Sequence, residues 1–126
     1  MSESAAMMAF ARDLFSGMGM VEVRRFFSEA GLYAGSVMFG LIADGRIYLK
    51  TDEALRAEMA AAGGSPWLFA PPRGPGAGVL QETSYMSLPS ASEDDPEEAC
   101  AWGRRALAVA ERARNAGPKR RRRDRA

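Results

Sequence analysis

The sequence predicts an α+β domain in which three helices cover an antiparallel five-stranded sheet, in the order α-β-β-β-α-β-β-α. Three observations predict this fold class. Apolar residues recur at helical spacing in three segments. Strand-forming residues alternate or cluster in five others. Gly, Pro and Asp-Gly signals separate the segments. We therefore expect a two-layer architecture of helices on a sheet.

The first helix is predicted over residues 3–16 and the first strand over residues 20–27. Met7 and Leu14 lie on one apolar stripe of the helix. The strand segment alternates apolar and charged residues. Residues 28–36, with the sequence SEAGLYAGS, contain two glycines, and we interpret them as a turn or bulged connection rather than a strand.

The centre of the chain predicts a hairpin followed by the second helix. Two strand-forming segments flank Asp44-Gly45, a pair that tolerates the positive φ angles of a two-residue turn. Thr51 or Asp52 is expected to cap the helix that follows. Gly63-Gly64 is expected to end it.

The last part of the chain predicts two strands and the closing helix. Residues 66–70 and 79–89 are rich in strand formers, and residues 71–78 (PPRGPGAG) form the loop between them. Asp95 is the predicted cap of the third helix, because a proline follows it in the first helical position. Gly117-Pro118 is the predicted end of that helix.

The alternation of side chains in the hairpin predicts two faces of the sheet. Leu41 lies opposite Tyr48, and opposite residues share a face. The face expected to meet the helices comprises Met38, Gly40, Ile42, Ile47 and Leu49. The face expected to remain open comprises Val37, Phe39, Leu41 and Tyr48, with Arg46 and Lys50 at its fringe. A second apolar face predicts a dimer or partner surface, unless the connecting loops cover it.

No arrangement of catalytic side chains is recognisable. The chain has no histidine and one cysteine, so the usual general base and the usual soft metal ligands are missing. Acidic residues cluster at 52–53 and 93–98, beside predicted helix N-termini, where they favour capping over acid–base catalysis. The glycines of loop 71–78 precede a strand rather than a helix, which argues against a phosphate-binding loop. We expect no enzyme activity, no cofactor and no metal.

Length and composition predict one folded domain, residues 1–116. The longest apolar run, residues 5–11, is far shorter than the ~20 residues that cross a bilayer, so we expect no membrane partner. Cys100 has no second cysteine with which to form a disulfide, as is usual in a reducing cytoplasm. We therefore expect a cytoplasmic protein.

Residues 117–126 form a basic tail that we expect to be disordered. The tail has six basic residues and one acidic residue, whereas the rest of the chain has 11 basic and 15 acidic residues. One interpretation is a solvated extension. The alternative is nonspecific contact with DNA, because basic side chains that neutralise phosphates release counterions. The residues that would make this contact are Lys119, Arg120, Arg121, Arg122, Arg123 and Arg125.

Several motifs together resemble the N-terminal domain of the TfoX/Sxy family. They are Gly31-Leu32-Tyr33, residues 38–52 (MFGLIADGRIYLKTD), residues 63–66 (GGSP), and Tyr85-Met86 followed by Pro89. The resemblance spans roughly residues 4–114. Two departures are visible: Phe26-Phe27-Ser28-Glu29 replaces a Met-Phe-Gly-Gly run, and a basic tail follows where full-length members carry a second, helical domain.

The resemblance implies a fold similar to the secretion-chaperone-like class, whose members commonly pair. Full-length family members act as positive regulators of competence gene transcription, and the family transfers no catalytic residues to this chain. Our leading hypothesis is a non-enzymatic bacterial regulatory or adaptor domain that acts by protein–protein contacts, as a homodimer and with a protein partner in transcription regulation. One alternative is a nucleic-acid-associated protein that uses the tail. The other is a small-molecule sensor or unrecognised enzyme, with a pocket formed by Trp67, Tyr48 and loop 71–78.

Overall fold

The computed structural model describes the backbone of residues 4–26 and 28–125 and the side chains of residues 4–25 and 28–116. Within these residues the chain forms three α-helices and six β-strands. In chain order they are α1 (Ala5–Leu14), β1 (Val21–Phe26), β2 (Glu29–Ala34), β3 (Val37–Ala43), β4 (Arg46–Lys50), α2 (Glu53–Ala61), β5 (Pro66–Phe69), β6 (Gln81–Ser87) and α3 (Pro96–Arg125).

The six strands form one antiparallel sheet in the order β1-β2-β3-β4-β6-β5. The α+β class, the three helices and the antiparallel sheet are confirmed. The expected number of five strands was wrong, because the sheet has six.

The additional strand is β2, which lies in the segment interpreted as a turn. β2 pairs with both β1 and β3, and its residues Ala30 and Leu32 are fully buried. Gly31 suggested a chain reversal, yet it is a packed strand residue. A Cβ atom at Gly31 would lie 2.7 Å from Cε1 of Tyr33, so the glycine leaves room for the tyrosine ring. The turn to β3 uses Gly35, whose φ is 64°.

The predicted hairpin turn and helix caps are confirmed. Asp44 and Gly45 have φ angles of 51° and 71°, as a two-residue turn requires. Oδ1 of Asp52 accepts a hydrogen bond from the backbone N–H of Leu55 at 2.9 Å. Asp95 caps α3 in the same way, by accepting from a backbone N–H three residues later at 3.2 Å.

The core lies between the helices and one face of the sheet. Phe15, which follows α1, packs edge-on against Phe39 of β3 with ring centroids 5.7 Å apart. The helices contribute Ala11, Leu14, Leu55, Met59, Ala99, Ala106, Val109 and Ala110. The strands contribute Val21, Ala30, Leu32, Phe39, Ile42, Ile47, Leu49 and Met86. All three helices therefore pack on the same side of the sheet.

Helix α3 continues beyond its predicted end. Its backbone is helical to Arg125, whereas Gly117-Pro118 was expected to stop it. The side chains of residues 117–126 lie outside the described part of the chain, so the division into a domain (1–116) and a disordered tail (117–126) stays a prediction. Among the described residues, no helix combines the length and the apolar character that crossing a membrane demands.

Candidate functional site

The sheet has one face that carries the helices and a second face that we call the helix-free face. Strand pairing identifies its members, because residues directly opposite in an antiparallel pair share a face. Leu41 pairs with Tyr48, Tyr48 with Ser87, and Lys50 with Tyr85. The large side chains of the helix-free face are Tyr33, Met38, Leu41, Tyr48, Trp67, Phe69 and Tyr85.

A β-bulge in β3 determines which residues reach this face. The register between β2 and β3 pairs Leu32 with Gly40. The next residue of β2, Tyr33, pairs with Met38, so Phe39 is left as an extra residue. The bulge reverses the alternation: Phe39 enters the core and Met38 reaches the helix-free face. The sequence-based placement of these two side chains was therefore wrong, because it assumed uniform alternation.

Gly40 gives the bulge the space that it needs. An added Cβ atom would lie 2.7 Å from the backbone oxygen of Tyr48 and 2.9 Å from Cδ2 of Leu49. Contacts this short with backbone do not occur in real structures without a shift of the strand. A side chain at this position would therefore push β3 away from β4, next to the buried ring of Phe39.

The four predicted surface residues divide between the two faces. Leu41 and Tyr48 lie on the helix-free face as expected. Leu41 is nevertheless only 1% exposed, so it forms the floor of that face rather than its exposed part. Phe39 is 0% exposed in the core, and Val37 is half-buried and packs against the core. The placement of Phe39 and Val37 on an open face was wrong.

Four aromatic rings form a continuous cluster on the helix-free face, across β4, β6 and β5. The ring centroid of Trp67 lies 6.2 Å from that of Tyr48, 5.2 Å from that of Phe69 and 6.3 Å from that of Tyr85. Phe69 is 38% exposed and the other three rings are half-buried. Of these four rings, only Tyr48 was expected on this surface from the sequence; Trp67 was assigned to a pocket, and Phe69 and Tyr85 were assigned to neither. The spacing of Phe69 two residues after Trp67 in β5 was a usable signal, but the pairing of β6 with β4, which brings Tyr85 beside them, was not predictable from the sequence.

Cationic side chains lie over two rings of this face. The guanidinium of Arg24 is 4.4 Å from the ring centroid of Tyr33, and Nζ of Lys50 is 5.3 Å from that of Tyr85. Lys50 also donates a hydrogen bond to Oγ of Ser84 at 2.8 Å. Burial lowers the pKa of Lys50 and raises the pKa of Tyr85, because burial disfavours the charged form of each. The face thus combines an apolar floor with cationic side chains over two of its rings.

Two carboxylates of the helix layer, Glu58 and Asp52, have structural partners. Glu58 forms a two-pronged ion pair with Arg105, at 2.8 and 2.7 Å, and this pairing lowers the pKa of Glu58. Asp52 caps α2 and also accepts a hydrogen bond from Arg112 at 3.1 Å. These carboxylates are held ionised in fixed contacts, an arrangement that suits caps and ion pairs rather than proton transfer.

The described side chains offer little for metal or thiol chemistry. No group of three or more His, Cys, Asp or Glu residues among them could hold a metal ion. Cys100 is buried, and its Sγ lies 3.5 Å from the backbone oxygen of Leu14. Cys100 therefore behaves as a small core residue.

A cleft of about 640 Å³ lies between the end of β4, the start of α2 and residues 109–116 of α3. The ion pair of Asp52 and Arg112 lies in its wall. Trp67, Tyr48 and loop 71–78, around which the sequence suggested a pocket, do not line this cleft.

The six basic residues predicted to contact nucleic acid lie at the end of α3, and their side chains are outside the described part of the chain. These residues are Lys119, Arg120, Arg121, Arg122, Arg123 and Arg125. Their contact with nucleic acid therefore stays a prediction.

Comparison with known proteins identifies the family. A search of curated proteins returned no match to this chain. The family model of the TfoX N-terminal domain matches residues 13–110. The matched region runs from the end of α1 to the middle of α3, so it contains all six strands and nearly all of the buried core. The chain therefore belongs to the TfoX N-terminal domain family.

Proposed function

We propose that this protein is a non-enzymatic regulatory or adaptor domain, related to the competence regulators, that acts by protein–protein contacts and forms a homodimer. Membership of the TfoX N-terminal domain family supports the regulatory part of the proposal. The proposal places the protein in the cytoplasm, where thiols stay reduced, and the free, buried thiol of Cys100 is compatible with that compartment.

The observation that carries the proposal is the helix-free face. Its floor is apolar, four aromatic rings cross it, and Phe69 exposes 38% of its surface at one end. Soluble monomers rarely leave a contiguous apolar surface of this kind open to water. The few residues that carry most of the binding energy in protein interfaces are enriched in Trp, Tyr and Arg.

The contact surface differs from the one that the sequence suggested. Tyr48 remains part of it, with Leu41 as its buried floor. Met38, Trp67 and Phe69 join it, whereas the core residues Phe39 and Val37 do not belong to it. A charged residue at position 39 would therefore unfold the domain rather than test the interface.

The proposal is tested by self-association of a Phe69→Glu variant, measured by sedimentation velocity over a range of concentrations. We expect the dimer dissociation constant to rise about tenfold or more, because a carboxylate replaces an interfacial ring. The control is Phe10→Glu. Phe10 is 42% exposed, but it lies on α1, in the opposite layer.

Both variants should retain the far-ultraviolet circular dichroism of the parent, because neither side chain belongs to the buried core. Equal weakening by both variants would show that the effect is a general one of added charge. Unchanged association of Phe69→Glu would contradict the proposed contact surface.

A second candidate function is nonspecific binding of DNA, which the six basic residues at 119–125 favour. Fluorescence anisotropy of a labelled duplex should then show binding by the full chain and none by residues 1–116. The logarithm of affinity should fall with the logarithm of salt concentration by about 0.9 for each phosphate contacted. Equal binding by both chains, or no binding at low salt, would contradict this function of the tail.

A further inference from the structure

We propose that β1 is a second contact surface, through which two copies of this chain pair edge to edge in an antiparallel manner. This contact is separate from the helix-free face and does not depend on the proposed function. The strand order places β1 at one edge of the described sheet, and β1 is six residues long. An edge strand presents a row of backbone N–H and C=O groups to any chain that can align with it.

The charges of β1 select the partner. Charged residues on an edge strand usually prevent pairing, because a neighbouring strand brings like charges together. In β1, however, Glu22 and Arg24 have opposite charges and flank Val23. Both side chains are exposed on the helix-free side, and they contact each other at 2.6 Å. A strand with the same sequence, running in the opposite direction, can satisfy both charges.

One register fits this pattern. When the two-fold axis passes through Val23, Glu22 of each copy lies opposite Arg24 of the other, on the same face. Each carboxylate then lies between two guanidinium groups, one from its own strand and one from the second copy. The neighbouring registers that keep the faces aligned place Glu22 opposite Glu22, or Arg24 opposite Arg24. These registers are disfavoured by repulsion.

The pairing would extend the helix-free face. Arg24 already lies over the ring of Tyr33, 4.4 Å from its centroid, so the paired charges continue directly into the apolar floor. Two copies joined at β1 would present both helix-free faces side by side on one sheet of twice the width. A C2 pair of this kind is closed at the β1 edge, because the same edge is used by both copies.

The test measures self-association by sedimentation velocity in the full chain that carries Phe69→Glu, which weakens the proposed contact through the helix-free face. We expect this Phe69→Glu protein, the parent of the variants below, still to form a dimer through β1 at high concentration. Glu22→Arg should raise its dissociation constant about tenfold, because arginines then face arginines in the favoured register. Arg24→Glu should have the same effect, because glutamates then face glutamates.

A mixture of the two charge variants provides a matched control, because a general loss of stability would not make the two variants prefer each other. The Glu22→Arg and Arg24→Glu proteins should associate with each other more tightly than either associates with itself, because every opposed pair then has opposite charges. The double variant E22R/R24E exchanges the two charges within one chain. It should recover the dissociation constant of the parent.

Two results would overturn the inference. The first is a Phe69→Glu parent that stays monomeric at the highest attainable concentration. The second is charge variants that associate as the parent does, with no preference for each other in the mixture. Neither result affects the proposed function, which fails instead if Phe69→Glu leaves the association of the otherwise unchanged protein intact.

Discussion

Met38 and Phe39 are neighbours in β3, and the bulge gives them opposite environments. Phe39 is fully buried against Phe15. Met38 is half-buried on the helix-free face. A single extra residue in β3 therefore places Phe39 in the core and Met38 on the opposite face. The residue types do not reveal this arrangement, because both side chains are apolar.

We predict that Phe39→Ala lowers the free energy of unfolding by about 3–5 kcal/mol, the usual cost of removing a buried phenylalanine. Met38→Ala is the matched control, and it should cost about 1 kcal/mol or less because its side chain is only half-buried. Urea unfolding followed by tryptophan fluorescence measures both. A reversed order of the two costs would show that the strand alternates regularly and that the bulge is absent.

At the scale of the element, α2 shows how one side chain fixes the start of a helix. Asp52 accepts a hydrogen bond from the backbone N–H of Leu55, and this hydrogen bond is the main cause of the lowered pKa of Asp52. The hydrogen bond and the charge of Arg112 lower this pKa further. A carboxyl group whose pKa is lower in the folded protein stabilises the fold above its unfolded pKa. That stabilisation is lost as the pH falls through the folded pKa.

We predict that Asp52→Ala lowers the free energy of unfolding by about 1 kcal/mol near neutral pH, because the cap is lost. The difference from the parent should shrink once the pH falls below the folded pKa of Asp52. Asp52→Asn keeps an acceptor oxygen and should retain most of the stability. Urea unfolding at the two pH values measures these effects, and Glu53→Ala, in the same turn, is the control. A loss for Asp52→Ala that does not change with pH would contradict the prediction.

The strands differ in how far the sequence predicts them. β3 and β4 are recognisable because their residues and the Asp44-Gly45 turn agree locally. β2 is not recognisable, because glycine is typical of turns and Gly31 was therefore interpreted as part of one. A Cβ atom at Gly31 would contact the ring of Tyr33 in the same strand and Sδ of Met38 in β3. The sequence alone does not reveal that these two side chains pack over the glycine.

At the scale of the whole molecule, the described core ends before the basic tail begins. Its last member is Ala110, and the ion pairs that attach α3 to α2 involve Arg105 and Arg112. Exposed pairs of this kind contribute little individually, so burial holds α3 in place. The charge of the chain is divided in the same way, with an acidic body and basic residues at 119–125.

We predict that truncation after residue 116 changes the free energy of unfolding by less than about 0.5 kcal/mol, because the described core ends at Ala110, before the cut. Urea unfolding of the full chain and of residues 1–116, at the same salt concentration, measures the difference. A larger loss would show that residues 117–126 pack on the domain. The predicted boundary at 116 would then be wrong.

The sequence by itself determined the features that depend on residues a few positions apart. These are the presence of three helices, a cap of α2 at Thr51 or Asp52, the cap Asp95, the Asp44-Gly45 turn and the motifs that identify the family. Such features are local because a cap or a tight turn is completed by hydrogen bonds within three or four residues.

Only the tertiary structure decided the sixth strand, the bulge at Phe39 and the composition of the helix-free face. Trp67 and Tyr85 meet Tyr48 on that face because β6 pairs with β4 across a long separation in sequence. The register of such a pairing is set by the fit of whole strands, and one extra residue reverses every side chain that follows it. The surface on which the proposed function depends is therefore a property of the assembled sheet.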